Sequence, residues 1–381
     1  MRLYDTARRA VVSFEAGPVV TMYVCGVTPY DATHMGHAAT YVTYDVLIRR
    51  LRDLGHEVRM VRNITDVDDD ILRTARDRDV HYLDLATAEI RRFDDDLAAL
   101  NVLPPWSSPR ATSAIADIRG FIGAVIDRGD AYAVDGWVFF DVSTASSFGA
   151  LCGLDRSAML AVGPAGGENP DNPLKRNPLD FVLWKPALVG EPSWESRWGP
   201  GRPGWHVECS TLALRELGET IDLHGGGTDL LYPHHECERA QSESVTGRPF
   251  VRHWMHQAMV GYDGQKMSKS VGNLVFVHDL RAHWSGPEIR TALLAHHYRT
   301  DWSWSTDDLI HARARLEVWR SVGAEAAPVP AGFIAEAIDA DLDTPEALRM
   351  LDAAAADGRD VAAPAELLGI ALKDGANAPM P

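Results

Sequence analysis

The chain has 381 residues, of which 46% are hydrophobic and 24% are charged, and its formal net charge is −17. An apolar fraction of this size supports a buried core and excludes general disorder. The sequence shows neither an apolar run of about eighteen residues nor a charged segment followed by an apolar stretch at its start, so no membrane span or secretory signal is predicted. We therefore expect a cytoplasmic protein. The excess of acidic residues argues against broad nucleic-acid binding, because Lys and Arg supply most of the affinity for phosphate.

Lysine and cysteine are both scarce. Lysine occurs five times, and two of the five, Lys266 and Lys269, lie three residues apart, which suggests a functional cluster. Four cysteines are too few for a disulfide scaffold in a chain of this length, so they are either buried small side chains or ligands of a metal site. The cysteines are Cys25, Cys152, Cys209 and Cys237.

The first part of the chain predicts a strand, a helix and a second strand. An apolar run over 19–24 ends in a Gly- and Pro-containing turn at 25–29, a helical period follows over 38–54, and 57–64 is again typical of a strand. Such a βαβ unit is almost always right-handed, and its ligands bind beyond the carboxyl ends of the strands. We therefore expect the active site in the two polar loops that leave this edge.

The middle of the chain interrupts this pattern. A helix over 110–128 and a hairpin over 131–141 are predicted, and 163–203 is rich in Gly and Pro with little periodicity, so residues 111 to about 200 are interpreted as an insertion. Further elements are then expected in the order helix 208–217, strand 220–223, three consecutive glycines at 225–227, and helices over 287–298, 306–321 and 333–353.

Two histidines, His34 and His37, lie at the start of the first predicted helix. The free N–H groups of a helix N-terminus attract phosphate, and residues at i and i+3 share one face. Gly36 between them allows close approach of a nucleotide to the backbone. By itself this HMGH motif is a weak signal, and two surface histidines are the favoured interpretation of it.

A second phosphate-sized cluster, KMSKS over 266–270, contains two of the five lysines and is flanked by Gly264 and Gly272. A mobile clamp on a triphosphate needs these groups, although a solvated turn is the simpler interpretation of the loop alone. An HxGH motif near the N-terminus followed by KMSKS some 230 residues later is the joint signature of class I aminoacyl-tRNA synthetases, and the sequence resembles that superfamily.

The intervening segments are similar to the cysteine-activating branch of that superfamily, and the resemblance covers about residues 20 to 320. It implies an α/β fold with a Rossmann-like (HUP-type) parallel-sheet nucleotide-binding domain, an inserted subdomain and a C-terminal helical domain. The implied boundaries are 1–110 and 203–275 for the two catalytic halves, 111–202 for the insertion and 276–381 for the helical domain. The segments are MYVCG (22–26), NITDVDD (63–69), GWHVECS (204–210) and GGGTDLLYPHHE (225–236).

The resemblance also implies a zinc ion that holds a substrate thiolate. Zinc prefers a soft thiolate to a hydroxyl, so a catalytic zinc with an exchangeable position selects cysteine over serine without editing. Each residue also has a simpler interpretation: core cysteines, a surface pair at 234–235, and a solvated helical glutamate. The implied ligands are Cys25, Cys209, His234 and Glu238, and Cys152 and Cys237 have no matched role.

The remaining site residues follow from the same resemblance. His34, His37, Lys266 and Lys269 would stabilise charge on the phosphates of ATP, which binds with Mg²⁺, while Trp205 would form a wall of the cysteine pocket. The residues implied in substrate or adenylate binding are Cys25, Gly26, Val27, Thr28, Thr40, Asn63, Ile64, Thr65, Trp205, Gly227, Thr228, Asp229 and Val260.

Two families in this branch differ in the acceptor of the cysteinyl group: cysteinyl-tRNA synthetases use tRNA, and mycothiol-pathway cysteine ligases use the amine of glucosaminyl-inositol. The segment VTPYDATHMGHAATYVT (27–43) resembles the ligases, as does AGGENP (165–170) imperfectly. Residues 276–381 contain nine basic and seventeen acidic residues, a poor surface for docking RNA. The ligase interpretation is therefore favoured, with small molecules as the only expected partners and no nucleic acid or membrane.

Other features resemble the synthetases, namely Glu238 and the stretch KRNPLDFVLWK (175–185), and the N-terminal extension common in the ligases is missing. Three alternatives therefore stay open. The protein could transfer cysteine or a related amino acid to another amine, it could be a truncated cysteinyl-tRNA synthetase, or it could be a non-catalytic regulator derived from a synthetase.

Overall fold

A computed structural model describes residues 1–30, 32–163, 169–262, 264–267, 272–323 and 325–372. The strands, in chain order, are β1 (Arg2–Asp5), β2 (Ala10–Ser13), β3 (Val19–Val24), β4 (Glu57–Val61), β5 (Ala131–Val134), β6 (Trp137–Phe140), β7 (Phe181–Pro186), β8 (Gly201–Pro203), β9 (Ile221–Gly227), β10 (Val251–Gln257), β11 (Val260–Tyr262), β12 (Gln265–Lys266) and β13 (Trp302–Trp304).

Helices cover much of the remaining chain. In order they are α1 (Met35–Asp53), α2 (Asp69–Asp77), α3 (Tyr82–Ala99), α4 (Ile115–Asp127), α5 (Arg156–Val162), α6 (Trp205–Leu217), α7 (Glu236–Thr246), α8 (Val277–Leu280), α9 (Gly286–Leu294), α10 (Thr306–Ser321), α11 (Ala335–Asp339), α12 (Thr344–Ala356) and α13 (Ala362–Leu367). No described helix combines the length and the apolar character that a membrane span requires.

A parallel four-stranded sheet in the order β10-β9-β3-β4 forms the centre of the fold. Because β3 lies between β9 and β4, the loops that follow these three strands meet at one edge. A separate antiparallel sheet, β5-β6-β7-β8, is built from residues of the middle segment. The predicted α/β class with a parallel sheet and a helical C-terminal region is thus confirmed.

Local sequence signals explain where the helices around the site begin. The His34 side chain accepts a hydrogen bond from the backbone N–H of Gly36 and caps α1, and Asp68 caps α2 by accepting from the N–H of Ile71. Ser285 and Glu288 form a capping box at the start of α9. Each cap satisfies backbone groups that a helix leaves without intrahelical partners.

One hydrophobic core joins the central sheet to the C-terminal helices. Leu47 and Leu51 of α1 belong to the same buried cluster as Leu293 of α9, Leu316 of α10 and Leu348 of α12. The C-terminal helices are therefore packed as part of the catalytic body and not as a detached module.

Several predicted element boundaries are wrong. The helix predicted over 38–54 begins earlier, at Met35, and the one predicted over 333–353 is two helices, α11 and α12. The backbone between them turns at Asp341 and Leu342, whose φ values of 66° and 53° cannot continue a right-handed helix. Helices α2 and α3, and strand β7 within the Gly- and Pro-rich stretch, were not predicted.

The fully buried ion pair between Arg290 of α9 and Asp45 of α1 ties these helices together, and Arg290 also donates to the carbonyl oxygens of Leu368 (2.6 Å) and Leu100 (2.9 Å). We expect Arg290→Met to lower the free energy of unfolding by about 3 kcal/mol, because the buried Asp45 then keeps only Arg49 (2.7 Å) as a cationic partner and the Leu100 and Leu368 carbonyls lose a charged donor. Denaturant unfolding measures this loss.

The exposed Arg91 of α3 provides the matched control, and Arg91→Met should change the free energy of unfolding by about 0.5 kcal/mol or less. Equal stability of the two variants would contradict the role assigned to Arg290.

Candidate active site at the carboxyl edge of the parallel sheet

A cavity of about 390 Å³ opens where β3, β4 and β9 end. Its wall contains residues that directly follow the strands, among them Cys25 after β3, Asn63 after β4 and Asp229 after β9. The predicted location of the site, beyond the carboxyl ends of parallel strands, therefore coincides with a real cavity.

The loops after β3 and β4 are joined by an unusually close contact. The Gly26 N–H donates to Oδ1 of Asn63 (2.8 Å), the Asn63 amide donates to the Thr65 hydroxyl (3.1 Å), and Val27 forms a parallel bridge with Ile64. A side chain at position 26 would place its Cβ 1.6 Å from the Asn63 carbonyl oxygen. Only glycine fits there, so the two loops form one rigid wall.

Four potential metal ligands converge at the base of the cavity. The ligand atoms of Cys25, Cys209, His234 and Glu238 all lie within 4.8 Å of one another, and all four residues are buried. Nε2 of His234 lies 3.1 Å from a Glu238 carboxylate oxygen, and the Cys25 thiol lies 3.5 Å from the same oxygen. Two sulfurs, one imidazole and one carboxylate are donors that zinc accepts in tetrahedral sites.

The electrostatics of this cluster also fit a cation. Burial opposes ionisation of Glu238, but the adjacent His224 and His234 lower the pKa of its carboxyl to about 2. Burial likewise opposes the Cys209 thiolate, yet the hydrogen bond with Cys25 and the proximity of His234 lower the pKa of Cys209 to about 6. Burial opposes a charge on His234 as well, but Glu238 and Cys209 raise the pKa of its ring to about 10, so near neutral pH two buried anions surround a protonated histidine. A metal ion would replace this proton and compensate both anions.

Behind the cluster lies a layer of buried histidines that the sequence did not reveal. His224 holds the second Glu238 oxygen at 3.0 Å, His235 lies 3.3 Å from the Cys25 sulfur, and Nδ1 of His235 pairs with His256 at 2.8 Å. Cys25, His224, His235 and Glu238 form a second ligand set of comparable compactness. The adjacent histidines 234 and 235 were the one available signal, and a surface pair was the simpler interpretation of it; both are buried.

The cavity lining also contains the histidines of the HMGH motif. The His34 and His37 rings stack with centroids 3.8 Å apart, and both line the cavity at the start of α1. Burial lowers the pKa of His37 to about 4, so its ring is neutral at pH 7. A neutral ring acts on a phosphate as a hydrogen-bond donor and not as a charge.

Most of the other predicted substrate-binding residues also line the cavity. The Trp205 ring lies over His234 with centroids 4.2 Å apart, and Thr28 donates to Asp68 at 3.0 Å. Ile64 and Thr228 are absent from the described lining, although their neighbours belong to it. The lining residues from the predicted set are Cys25, Gly26, Val27, Thr28, His34, His37, Thr40, Asn63, Thr65, Trp205, Cys209, Gly227, Asp229, His234 and Val260.

The KMSKS loop is covered only in part. Met267 lines the cavity, so the loop reaches the site, whereas Lys269 lies outside the described residues. The roles of Lys266 and Lys269 stay predictions. Asp68 and Asp70 also line the cavity, and neither was predicted as a site residue.

Comparison with known proteins agrees with this geometry. Residues 12–314 match the family model of the class I (C) tRNA synthetase catalytic domain. Among solved structures, Mycobacterium tuberculosis methionyl-tRNA synthetase in complex with methionyl-adenylate aligns with a TM-score of 0.66 and 17% identity, covering 88% of this chain and 82% of that one. At this identity the likeness shows a shared fold.

Relatives of higher sequence identity show which family within this superfamily the chain belongs to. The L-cysteine:1D-myo-inositol 2-amino-2-deoxy-alpha-D-glucopyranoside ligase of Thermobispora bispora is 48% identical over 98% of this chain and 96% of its own length. The ligase of the same name from Mycobacterium marinum is 48% identical over 94% of this chain and 90% of its own. The chain belongs to this ligase family. It is an ATP-dependent enzyme that forms carbon–nitrogen bonds, and the predicted resemblance is confirmed.

The contact between Gly26 and Asn63 leads to a testable expectation for this ligase. Gly26→Ala forces the two loops apart, so we expect a loss of about 1–3 kcal/mol in the free energy of unfolding together with loss of ATP–pyrophosphate exchange. Gly17→Ala is the matched control, because its Cβ would meet its nearest atom at an ordinary 3.6 Å. Wild-type exchange in Gly26→Ala would show that the wall need not be rigid.

Proposed function

We propose that this ligase activates L-cysteine with ATP as cysteinyl-AMP, in the cytoplasm, and transfers the cysteinyl group to the amine of glucosaminyl-inositol in mycothiol biosynthesis. The observation that carries the proposal is the buried cluster of Cys25, Cys209, His234 and Glu238 at the base of the cavity, in a chain 48% identical to ligases named for this reaction.

Cys25, Cys209, His234 and Glu238 are proposed to hold Zn²⁺. This set is favoured over the one with His224 and His235, because Cys25, Cys209 and His234 all line the cavity and a substrate thiol must reach the ion. When bound, zinc supplies a Lewis acid that prefers a thiolate to a hydroxyl, which distinguishes cysteine from serine.

The protein itself orients this site. His206 joins Nδ1 of His234 at 2.9 Å, and His224 fixes Glu238, so each ligand points toward the others. Such outer contacts set the tautomer and direction of metal ligands. The Trp205 ring lies over His234 and would form an apolar wall of the pocket for the cysteine side chain.

The phosphates of ATP and its Mg²⁺ are proposed to bind beside the N-terminus of α1. His34 and His37, with Lys266 and Lys269 of the KMSKS loop, would stabilise charge as the cysteine carboxylate attacks the α-phosphorus and pyrophosphate leaves. Gly227, Thr228 and Asp229 would contact the adenosine, with Val260 nearby. Catalysis of this step rests on positioning and electrostatics.

A small amine is the proposed acceptor, and a nucleic acid is not. The cavity lining includes Asp68, Asp70 and Asp229, and no described Lys or Arg side chain belongs to it. These carboxylates suit an ammonium group, whereas the net charge of −17 and the nine basic against seventeen acidic residues over 276–381 disfavour docking of a nucleic-acid backbone. The domain organisation is also proposed. The chain would divide into four parts with boundaries at residues 110, 202 and 275, and the separate antiparallel sheet β5-β6-β7-β8 supports the inserted subdomain.

Zinc is tested with Cys209→Ser. We expect the variant to lose bound zinc, measured by atomic emission, and to lose cysteine-dependent ATP–pyrophosphate exchange in parallel, because a hydroxyl is a poor zinc ligand. Cys152→Ser is the matched control, since Cys152 lies outside both ligand sets. Normal exchange in a zinc-free Cys209→Ser variant would refute the metal's role.

The acceptor is tested by mass spectrometry of the products formed from ATP, cysteine and separate acceptors. We expect an amide of mass corresponding to cysteinyl-glucosaminyl-inositol, and no cysteinyl-tRNA. Charging of tRNA without amide formation would overturn the proposed acceptor, as would preference for an unrelated amine.

A further inference from the structure

Two carboxylates at the start of α2 line the cavity and have no role in the steps proposed so far. Asp68 and Asp70 both line the cavity, on the side contributed by the segment after β4. The mechanism described above assigns phosphates to the His34 and His37 side and a thiol to the metal ligands, and it gives these carboxylates no role.

The carboxylates in this segment differ in how their charge is compensated. Asp69 forms ion pairs with Lys185 and Arg202, and Asp70 pairs with Arg73. Among the described side chains, Asp68 has no cationic partner within ion-pair distance. Its two oxygens accept from the Thr28 hydroxyl (3.0 Å) and the Ile71 N–H (2.9 Å).

Thr28 connects Asp68 to the reacting groups. It lies three residues after the ligand Cys25, lines the same cavity and holds one Asp68 oxygen. A carboxylate oxygen has more than one lone pair, so the oxygen that accepts from Thr28 can also accept from a ligand. The site therefore offers a positioned anion that no described side chain neutralises, beside the pocket in which the cysteinyl group would be activated.

We propose that Asp68 binds the ammonium group of the amine acceptor and takes its proton before the transfer step. This inference rests on the proposed function, and it supplies the base that the reaction requires. The proton passes from the ammonium nitrogen to the Asp68 carboxylate, and the freed lone pair forms the C–N bond at the cysteinyl carbonyl carbon. The C–O bond to AMP breaks, AMP leaves with the electron pair, and the second nitrogen proton is released to solvent.

The local environment suits this role. Burial raises the pKa of the Asp68 carboxyl to about 6, and the adjacent Asp70 and Asp69 add to the rise while the Ile71 and Thr28 hydrogen bonds oppose it. Glu208 is a further acidic group nearby. A base with a pKa near the working pH is an effective proton acceptor that still ionises at pH 7.

The test separates the two half-reactions in Asp68→Asn. Asparagine can still cap α2, so the variant removes charge and basicity and leaves the cap. We expect cysteine-dependent ATP–pyrophosphate exchange within about threefold of wild type, and single-turnover amide formation from enzyme-bound cysteinyl-AMP reduced at least about 100-fold. Hydroxylamine, which is largely unprotonated at neutral pH, should trap the cysteinyl group as a hydroxamate at the wild-type rate in both proteins.

Asp77→Asn, an exposed change at the other end of α2, is the matched control and should leave both half-reactions unchanged. A parallel fall in exchange and transfer in Asp68→Asn would overturn the inference and place Asp68 at the cysteine ammonium group. Wild-type amide formation in Asp68→Asn would overturn it as well. A wild-type enzyme that exchanges pyrophosphate and forms hydroxamate but makes no amide with glucosaminyl-inositol would instead refute the proposed acceptor, independently of the comparison between variants.

Discussion

The parallel pairing of β3 with β9 on one side and β4 on the other is the constraint on which the site depends. It brings Cys25, Asn63 and Gly227 to one edge, although they are separated by up to about two hundred residues in the chain. The edge is then locked by backbone contact, because Gly26 lies against the carbonyl of Asn63 with no space for a side chain. The proposed metal ligands and the histidines proposed to contact phosphate therefore belong to one site that is formed before any substrate binds.

Sequence reasoning succeeded where one local signal agreed with the tertiary structure. The apolar run of β3, the helical period of α1 and the following strand predicted the βαβ unit. The resemblance to the cysteine-activating branch implied the four residues that the fold brings together at the base of the cavity. It failed for His224 and His256, because a buried histidine in a strand has no characteristic neighbours in sequence. Their partners, Glu238 and His235, come from a different element, so the network becomes visible only after folding.

The C-terminal helices show a second kind of limit. A periodic pattern over 333–353 predicted one helix, whereas Asp341 and Leu342 adopt positive φ and separate α11 from α12. Neither residue is a glycine, and the available sequence signal lies just beyond them, where Asp343 caps α12 and Pro345 lies in its first turn. The turn is held by distant contacts: the Asp341 carboxylate accepts from the Tyr298 hydroxyl and from the Tyr4 backbone N–H. Tertiary hydrogen bonds decide the local conformation at this point.

The buried Arg290 has a consequence for how the enzyme can be shortened. Its guanidinium donates a hydrogen bond to the carbonyl of Leu368, near the end of the described chain, and forms an ion pair with Asp45 of the first helix. Removal of the last helices would remove the Leu368 carbonyl that accepts a hydrogen bond from the buried Arg290 guanidinium, and it would expose this guanidinium to water. The C-terminal segment is therefore required for the stability of the catalytic domain, and a fragment of this ligase that ends near residue 320 should be neither folded nor active.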